Sequence, residues 1–467
     1  GSSHLAPECP SSGSSCREHP GMAMNTALVV SCFLVALLVY RLVMRLECLQ
    51  RMLHAWSPAA ALFFQYYTIL LIMLFVLLSF TFYEIFSQEI LDCGMLDPHV
   101  VRERLEDTLS SIPSMSRAEA ERQLRELRIT SDLRALSLSS PAAVALTYLV
   151  VVYHVWYLVS ENNLNELEYF PTTRQDLILE VILLPAVYAT MSLRCVVRQW
   201  MVMTAGGWEA AGAEQTWAVF DAQNRDQSEA NYAVANFVEM YTVWCFSTLI
   251  MDVMGDYIAM PELHHTLQQV TMLGVNTFVG VGFFKAVCEI LVVVLEERGA
   301  AVPLLGGLDL AATKRLCNFL TKLLTLASLQ CLYAMTQICR LTPLQPLSPS
   351  VKFLGTRILI VCAQVQSAGL HVASQRYGVC SGHQAYLLHA SLMCFECLGV
   401  AFLHCFAWPS EDFEQGYLPL AEGGDQDQSS AERAESWAPG GRLSKRAREW
   451  AARTRLSFTR RFSRPLD

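Results

Sequence analysis

The sequence predicts an all-α, polytopic membrane bundle, and three observations carry that reading. Of 467 residues, 53% are hydrophobic and only 16% are charged, against about a quarter charged in soluble domains. The mean hydropathy is +0.31. The apolar residues fall in repeated runs of about 20, the length a helix needs to cross roughly 30 Å of hydrocarbon. In lipid a helix satisfies its own backbone donors and acceptors, so such runs read as spans. The formal net charge of −9 says little about partners, because the acids lie in loops and tail while Lys and Arg are clustered. No nucleic-acid footprint is visible.

Residues 1–24 are rich in Ser, Pro and Gly, lack an apolar period, and read as disordered. Met22 or Met24 is a candidate native start. The run that follows, 25–40, leads into Arg41 and Arg45 rather than a small-residue cleavage site, so it reads as a retained anchor and not a signal peptide. Nine runs are long enough to span: 25–45, 60–86, 141–160, 177–200, 230–251, 270–296, 315–339, 352–374 and 384–407. The fifth carries Glu239 and ends at Asp252; the seventh carries Lys314, Arg315 and Lys322. These two are the least apolar.

Short basic loops set the orientation. Arg41, Arg45 and Arg51 follow the first span, Arg174 follows the third, Arg340 and Lys352 flank the turn from the seventh to the eighth, and basic residues crowd the tail. All of these are expected on the cytosolic side, which puts the N-terminus outside and the C-terminus inside. Arg194 and Arg198 fall on the wrong side of that count.

Residues 87–140 form a soluble insert between the two additional spans, 25–86, and the rest. Its Ser116-Arg-Ala-Glu119 has capping-box spacing, and Leu124, Leu127, Ile129, Leu133 and Leu136 recur at helical intervals, which predicts a short helical hairpin. The segment 200–232 is amphipathic, with Trp200, Trp208 and Trp217 expected in an interfacial belt. Cys195, Cys245, Cys288, Cys317, Cys331, Cys362, Cys394 and Cys405 lie in or beside apolar runs, where a thiol is a small hydrophobe. Cys93 and Cys380 fall in loops on one expected side, where a disulfide is open to them. Cys48 sits where a palmitoylated Cys would.

Charged and amide groups inside a lipid-length helix are costly and point to function. Glu239, Lys285, Glu289, Lys322, Gln364, Gln366, Glu396 and His404 are such groups. Lys285 and Glu289, at i and i+4, also read as a self-neutralising pair. A carrier for amphipathic anions needs an apolar groove with a few polar or cationic groups at membrane depth. Glu239, Lys285, Glu289, Gln364, Gln366, Glu396 and His404 are therefore the candidate substrate path, with Glu396 and His404 expected to line or gate it. No nucleophile, base and orienting group form a catalytic set, and there is no G-x-x-x-x-G-K-[ST] phosphate loop. No enzymatic activity and no cofactor are expected. His264-His265 points its two rings in different directions and lacks ligand spacing, and Cys394-x-x-Cys397 has no second pair, so no metal is expected.

Several stretches, in order, carry a family likeness. They are Tyr169-Phe-Pro171 followed by Pro185 and Tyr188; Trp217-Ala-Val-Phe220-Asp221, Arg225-Asp226-Gln-Ser-Glu229-Ala230 and Asn236-Phe237; Lys285 with Gly299; Pro346-x-x-Pro349-x-x-Lys352-Phe353; and Cys394-x-Glu396 with His404. Together they resemble the organic solute transporter alpha family and its multi-pass relatives, over about residues 141–410. The pattern departs at Arg174-Gln175, where the family has Gln before a basic residue, and at Leu179 or Glu180, where it has Arg.

The resemblance implies a seven-span core, 141–408, and facilitated movement of amphipathic organic solutes such as sterol or steroid conjugates down their own gradient. As partners it implies membrane lipids, the solute, and a single-pass beta-type subunit or a second copy. It also makes Phe220, Asp221, Arg225, Asp226, Glu229, Asn236, Pro346, Pro349, Lys352 and Phe353 family-motif residues. The motif at 346–353 reads as a cytosolic hinge whose Lys352 anchors a helix end at the headgroups. The alternative from another class is a non-transporting adaptor or receptor-like heptahelical protein working through a partner.

Beyond the last span, 409–441 is an acidic, flexible linker and 442–467 a basic amphipathic tail. In that tail Leu443, Ala447, Trp450 and Ala451 share one helical face, suited either to the anionic leaflet or to solvent. Ser457 and Ser463 follow basic residues as kinase sites do, and phosphate there is expected to weaken a hold on anionic lipid.

Overall fold

A computed structural model describes residues 66–87, 126–163, 173–203, 217–257, 261–298, 310–341 and 348–409, with isolated positions between 102 and 122. The 25–45 run, Cys48, Cys93, most of the insert with its capping box, Pro346 and the tail lie outside them.

Every element among the described residues is an α-helix: α1 (Tyr66–Ser87), α2 (Ser131–Asn163), α3 (Thr173–Ile182), α4 (Leu184–Met203), α5 (Trp217–Tyr257), α6 (Pro261–Arg298), α7 (Leu310–Cys339), α8 (Pro349–Tyr377) and α9 (Gly382–Ala407). Eight stretches are long and apolar enough to cross a membrane, with α3 and α4 counting as one, Arg174–Met203. The protein is an integral, multi-pass, all-α membrane protein. The two least apolar runs, 230–251 and 315–339, fall within α5 and α7.

Local sequence explains where these helices break. Pro185 has no N–H to donate to the carbonyl four residues back, so the chain turns at Leu183 and α3 hands over to α4. Pro349 opens α8 at a position where the missing N–H costs nothing, after Ser348 in a left-handed conformation (φ 49°). Gly378, also left-handed (φ 59°), closes it and donates its N–H to the Ala373 carbonyl. Ser381 and Gln384 form a reciprocal capping box at the start of α9. The same two side chains reach the carbonyls of Glu126 and Arg128, which ties α9 to the end of the insert.

The insert ends sooner than the sequence suggests. α2 begins at Ser131, ten residues before the predicted span, and carries Pro141 inside it. Leu127, Ile129 and Leu133 are buried in the main core, so this stretch packs against the bundle instead of standing in solvent.

Helix α4 is the axis. All twenty of its residues are buried, and α1, α2, α5 and α9 pack around it. α8 packs on α9 and α5, and α6 packs on α5 and α7. Neighbours run antiparallel: Gly355 of α8 meets His404 of α9, whereas Gln366, further along α8, meets His389, earlier in α9. α7 lies against α6 but touches α8 at few points. A seam therefore separates α7 from α8, and both present large apolar side chains outward, among them Phe319, Leu326, Tyr333, Leu354 and Val365.

Three expectations change here. Trp200 is not in an interfacial belt: it is fully buried in α4, because this helix has no lipid face. Lys352 does not reach the headgroups. It is 1% exposed, with Nζ 4.6 Å from the Trp408 ring centroid, so a cation–π contact takes the place of water. Arg194 and Arg198, the two residues that conflict with the charge count, are not loop residues. They are buried beside Glu84 of α1, where a helix-to-helix ion pair, rather than the membrane surface, accounts for their charge.

Candidate functional site

The most polar region of the interior lies at the middle of the spans, where α4, α5, α8 and α9 converge beside the α7–α8 seam. Arg357 is its cation. It sits two turns into α8, 5% exposed, with its guanidinium 4.6 Å from the Phe278 ring of α6 and Nη2 donating to Ser328 Oγ of α7 at 2.7 Å. Nε and Nη1 are sealed and make no hydrogen bond. Its electrostatic counterpart is the fully buried Glu239 of α5. One guanidinium thus reaches α5, α6 and α7 from α8 and keeps donors in reserve.

A second set adjoins it. Gln366 of α8 donates to the Glu396 carboxylate of α9 and pairs with His389 Nδ1 at 3.2 Å. The His389 ring packs on Tyr232 of α5 at 5.2 Å, and Tyr188 of α4 donates to Asn236 Oδ1 at 2.9 Å. Tyr188 and Cys397 lie within electrostatic range of both Glu239 and Glu396, so the two carboxyls flank one patch. Charges at this depth are tolerated when they face the bundle interior and one another.

The remaining candidates are distributed elsewhere. Lys285 and Glu289 pair with each other on α6, beside Glu229 of α5, which matches the self-neutralising reading. Gln364 is exposed on α8 and Lys322 on α7. His404 does not join Glu396. It lies two turns further along α9, 1% exposed, where a Cβ at Gly355 would be 3.1 Å from its ring, and near His154 of α2. Glu396 and His404 therefore occupy different depths.

Among the motif residues, Arg225 is exposed with its guanidinium 5.9 Å from the Tyr386 ring. Asn236 accepts from Tyr188. Pro349 opens α8, and Phe353 stacks on Phe246 at 5.8 Å. Phe220, Asp221 and Asp226 lie on α5, with their side chains outside the described set. Glu180 accepts from Tyr241 at 2.6 Å and from Cys245 at 2.9 Å. Arg174 pairs with Asp252 where α3 meets the end of α5. Among the described residues, no group of three or more His, Cys, Asp or Glu could hold a metal ion, and Cys195, Cys245, Cys331 and Cys394 are buried thiols outside any disulfide.

Sequence reading missed Arg357, His389 and Tyr232. Arg357 had a signal, as a cation five residues into the apolar run 352–374. His389 and Tyr232 had none, because a lone imidazole or phenol in an apolar run is ordinarily core.

Residues 224–413 match the family described as organic solute transporter Ostalpha. The matched stretch comprises nearly all of α5, all of α6 to α9, and the residues just beyond, and so contains Glu239, Arg357, Gln366, His389 and Glu396. It bears out the resemblance carried by the motifs from Arg225 onward. No curated protein and no solved structure matches the chain.

Proposed function

We propose that this chain, whose residues 224–413 match the organic solute transporter Ostalpha family, is a facilitative transporter or transporter subunit for amphipathic organic anions such as sterol or steroid conjugates. The observation that carries this reading is the placement of Arg357. It is buried at membrane depth beside the α7–α8 seam and holds α7 through the single hydroxyl of Ser328, with two donor nitrogens unengaged. A planar guanidinium with spare donors is suited to a sulfate or carboxylate. An anionic head arriving through the seam would replace Ser328 and compete with Glu239 for Arg357, loosening the link between α7 and α8. The apolar body of the solute would lie against the outward faces of those helices. Release on the other side restores the Ser328 contact, so a concentration gradient alone drives the cycle.

In this reading α2 to α9 supply seven spans, counting α3 with α4, and form the 141–408 core, while α1 and the 25–45 run are additions. The C-terminus is cytosolic and the N-terminus outside. The burial of Arg194 and Arg198 supports this orientation, because it removes the exception to the positive-inside count. Partner dependence, through a single-pass beta-type subunit or a second copy, comes with the family likeness. The test is uptake of labelled steroid sulfate or taurocholate into proteoliposomes, with and without co-purified partners. Arg357→Gln should abolish uptake and Arg357→Lys should restore part of it. Absence of flux in every arm would favour the adaptor reading instead.

A further inference from the structure

A second polar site lies outside the family-matched region, between α1 and α4. Glu84 of α1 stands against two arginines of α4: its Oε2 is 3.7 Å from Arg194 Nη1 and its Oε1 is 3.8 Å from Arg198 Nη2. Arg194 Nη1 also donates to Thr81 Oγ at 3.3 Å, and Arg198 Nη1 lies 3.5 Å from Met201 Sδ. The side chains are 10%, 1% and 9% exposed respectively. Moreover, the Nε and Nη2 of Arg194 are sealed with no hydrogen-bond partner. A buried guanidinium that leaves two donors unmade is expensive, and an anionic acceptor suits those donors best.

Its depth narrows the chemistry. Glu84 lies three residues before the end of α1 at Ser87, and Arg198 five before the end of α4 at Met203. At 1.5 Å per residue these are about 5 and 8 Å from the helix ends, with Arg194 a turn deeper. Both positions lie near the ends of their membrane-length stretches. Beside them, α1 presents Tyr83 and Phe86 outward, 55% and 67% exposed, as a helix in contact with acyl chains does.

We infer that Glu84, Arg194 and Arg198 form a binding site for a phosphate-type oxyanion, which fastens α1 to the axial helix of the bundle. The oxyanion takes the open donors of Arg194 as a bidentate partner. A net-anionic phospholipid headgroup and free phosphate share this chemistry.

The experiment uses the full chain in detergent and follows its thermal unfolding midpoint against three additions: phosphatidylglycerol, phosphatidylcholine and inorganic phosphate. The expected result is a saturable rise with phosphatidylglycerol, a smaller one with phosphatidylcholine, and a half-saturation concentration about tenfold higher in Arg194→Gln. Glu84→Gln, which removes the competing carboxylate, should lower that concentration; this arm keeps the test decisive if Arg194→Gln does not fold. A rise with inorganic phosphate of the same size and the same dependence on Arg194 also supports the site and identifies a soluble anion as occupant. No rise in the unaltered protein with any addition overturns the inference, as does a phosphatidylglycerol response that neither variant changes. Because the site lies outside the transport patch, these outcomes do not depend on uptake.

Discussion

A Cβ placed on Gly355 would lie 3.1 Å from both Nε2 and Cδ2 of His404, so α8 and α9 cross here with backbone against ring. The ring cannot retreat, because His404 is 1% exposed at the α2–α9 interface. Gly355→Val should therefore destabilise the protein by roughly 1–3 kcal/mol through overpacking, with Gly355→Ala milder. Thermal unfolding in detergent reads this directly, and an unchanged midpoint for Gly355→Val would show that the crossing is looser than described.

Glu396 is held by Gln366 of α8 at the edge of the buried polar patch. Glu396→Gln keeps the size and an acceptor oxygen but removes the charge. Initial uptake of steroid sulfate in proteoliposomes is expected to fall about tenfold, the scale of one charge-assisted hydrogen bond, at unchanged surface expression. Equal flux in the two proteins would remove Glu396 from the solute path.

The Lys285–Glu289 pair faces the bundle, with side chains 15% and 20% exposed. Removing one member leaves a poorly solvated charge, whereas removing both does not. Lys285→Met and Glu289→Met should each lower the unfolding midpoint and the yield of monodisperse protein, and the double variant should lie closer to the unaltered chain. Additive losses would contradict the self-neutralising role.

Lys352 and Trp408 close the opposite end of the bundle. Trp408 is 1% exposed, its ring lies under the Lys352 ammonium, and its carbonyl lies 3.2 Å from His154 Nε2. A double-mutant cycle of Lys352→Met and Trp408→Leu should return a coupling of about 1–2 kcal/mol, the size of a desolvated cation–π contact. A coupling near zero would mean that the two groups are only neighbours.

Much of the architecture is legible in the chain because membrane helices obey a one-dimensional rule: about 20 apolar residues in a row make a span. The seven runs from 141–160 onward fall on described helices, with 177–200 divided between α3 and α4, and α1 takes up 60–86 from Tyr66 on; the two runs interrupted by charge are among them. The proline motif at 346–353 was legible as a break between helices, whereas Gly378 and the Ser381-Gly-His-Gln384 box went unread because they lie in and beside a short polar loop. The same rule cannot tell a lipid-facing helix from a buried one. α4 and α7 both look like spans, yet one is wholly enclosed and the other largely outward. Trp200 and Lys352 were misplaced for that reason: the positions of indoles and lysines are read statistically from the membrane surface, and here other helices supply the environment.

Composition, span length and motif order by themselves determined that this is a multi-pass helical membrane protein of transporter-family likeness with costly polar residues in its spans. Tertiary structure decided which of those residues share a site. It separated His404 from Glu396 and brought Arg357 to Glu239 and Ser328. It also turned Arg194 and Arg198 from exceptions in a charge count into one cluster with Glu84. The reason is physical: the cost of a charge in lipid can be read from one position, but the partner that lowers that cost comes from another helix, 113 residues away for Thr81 and Arg194.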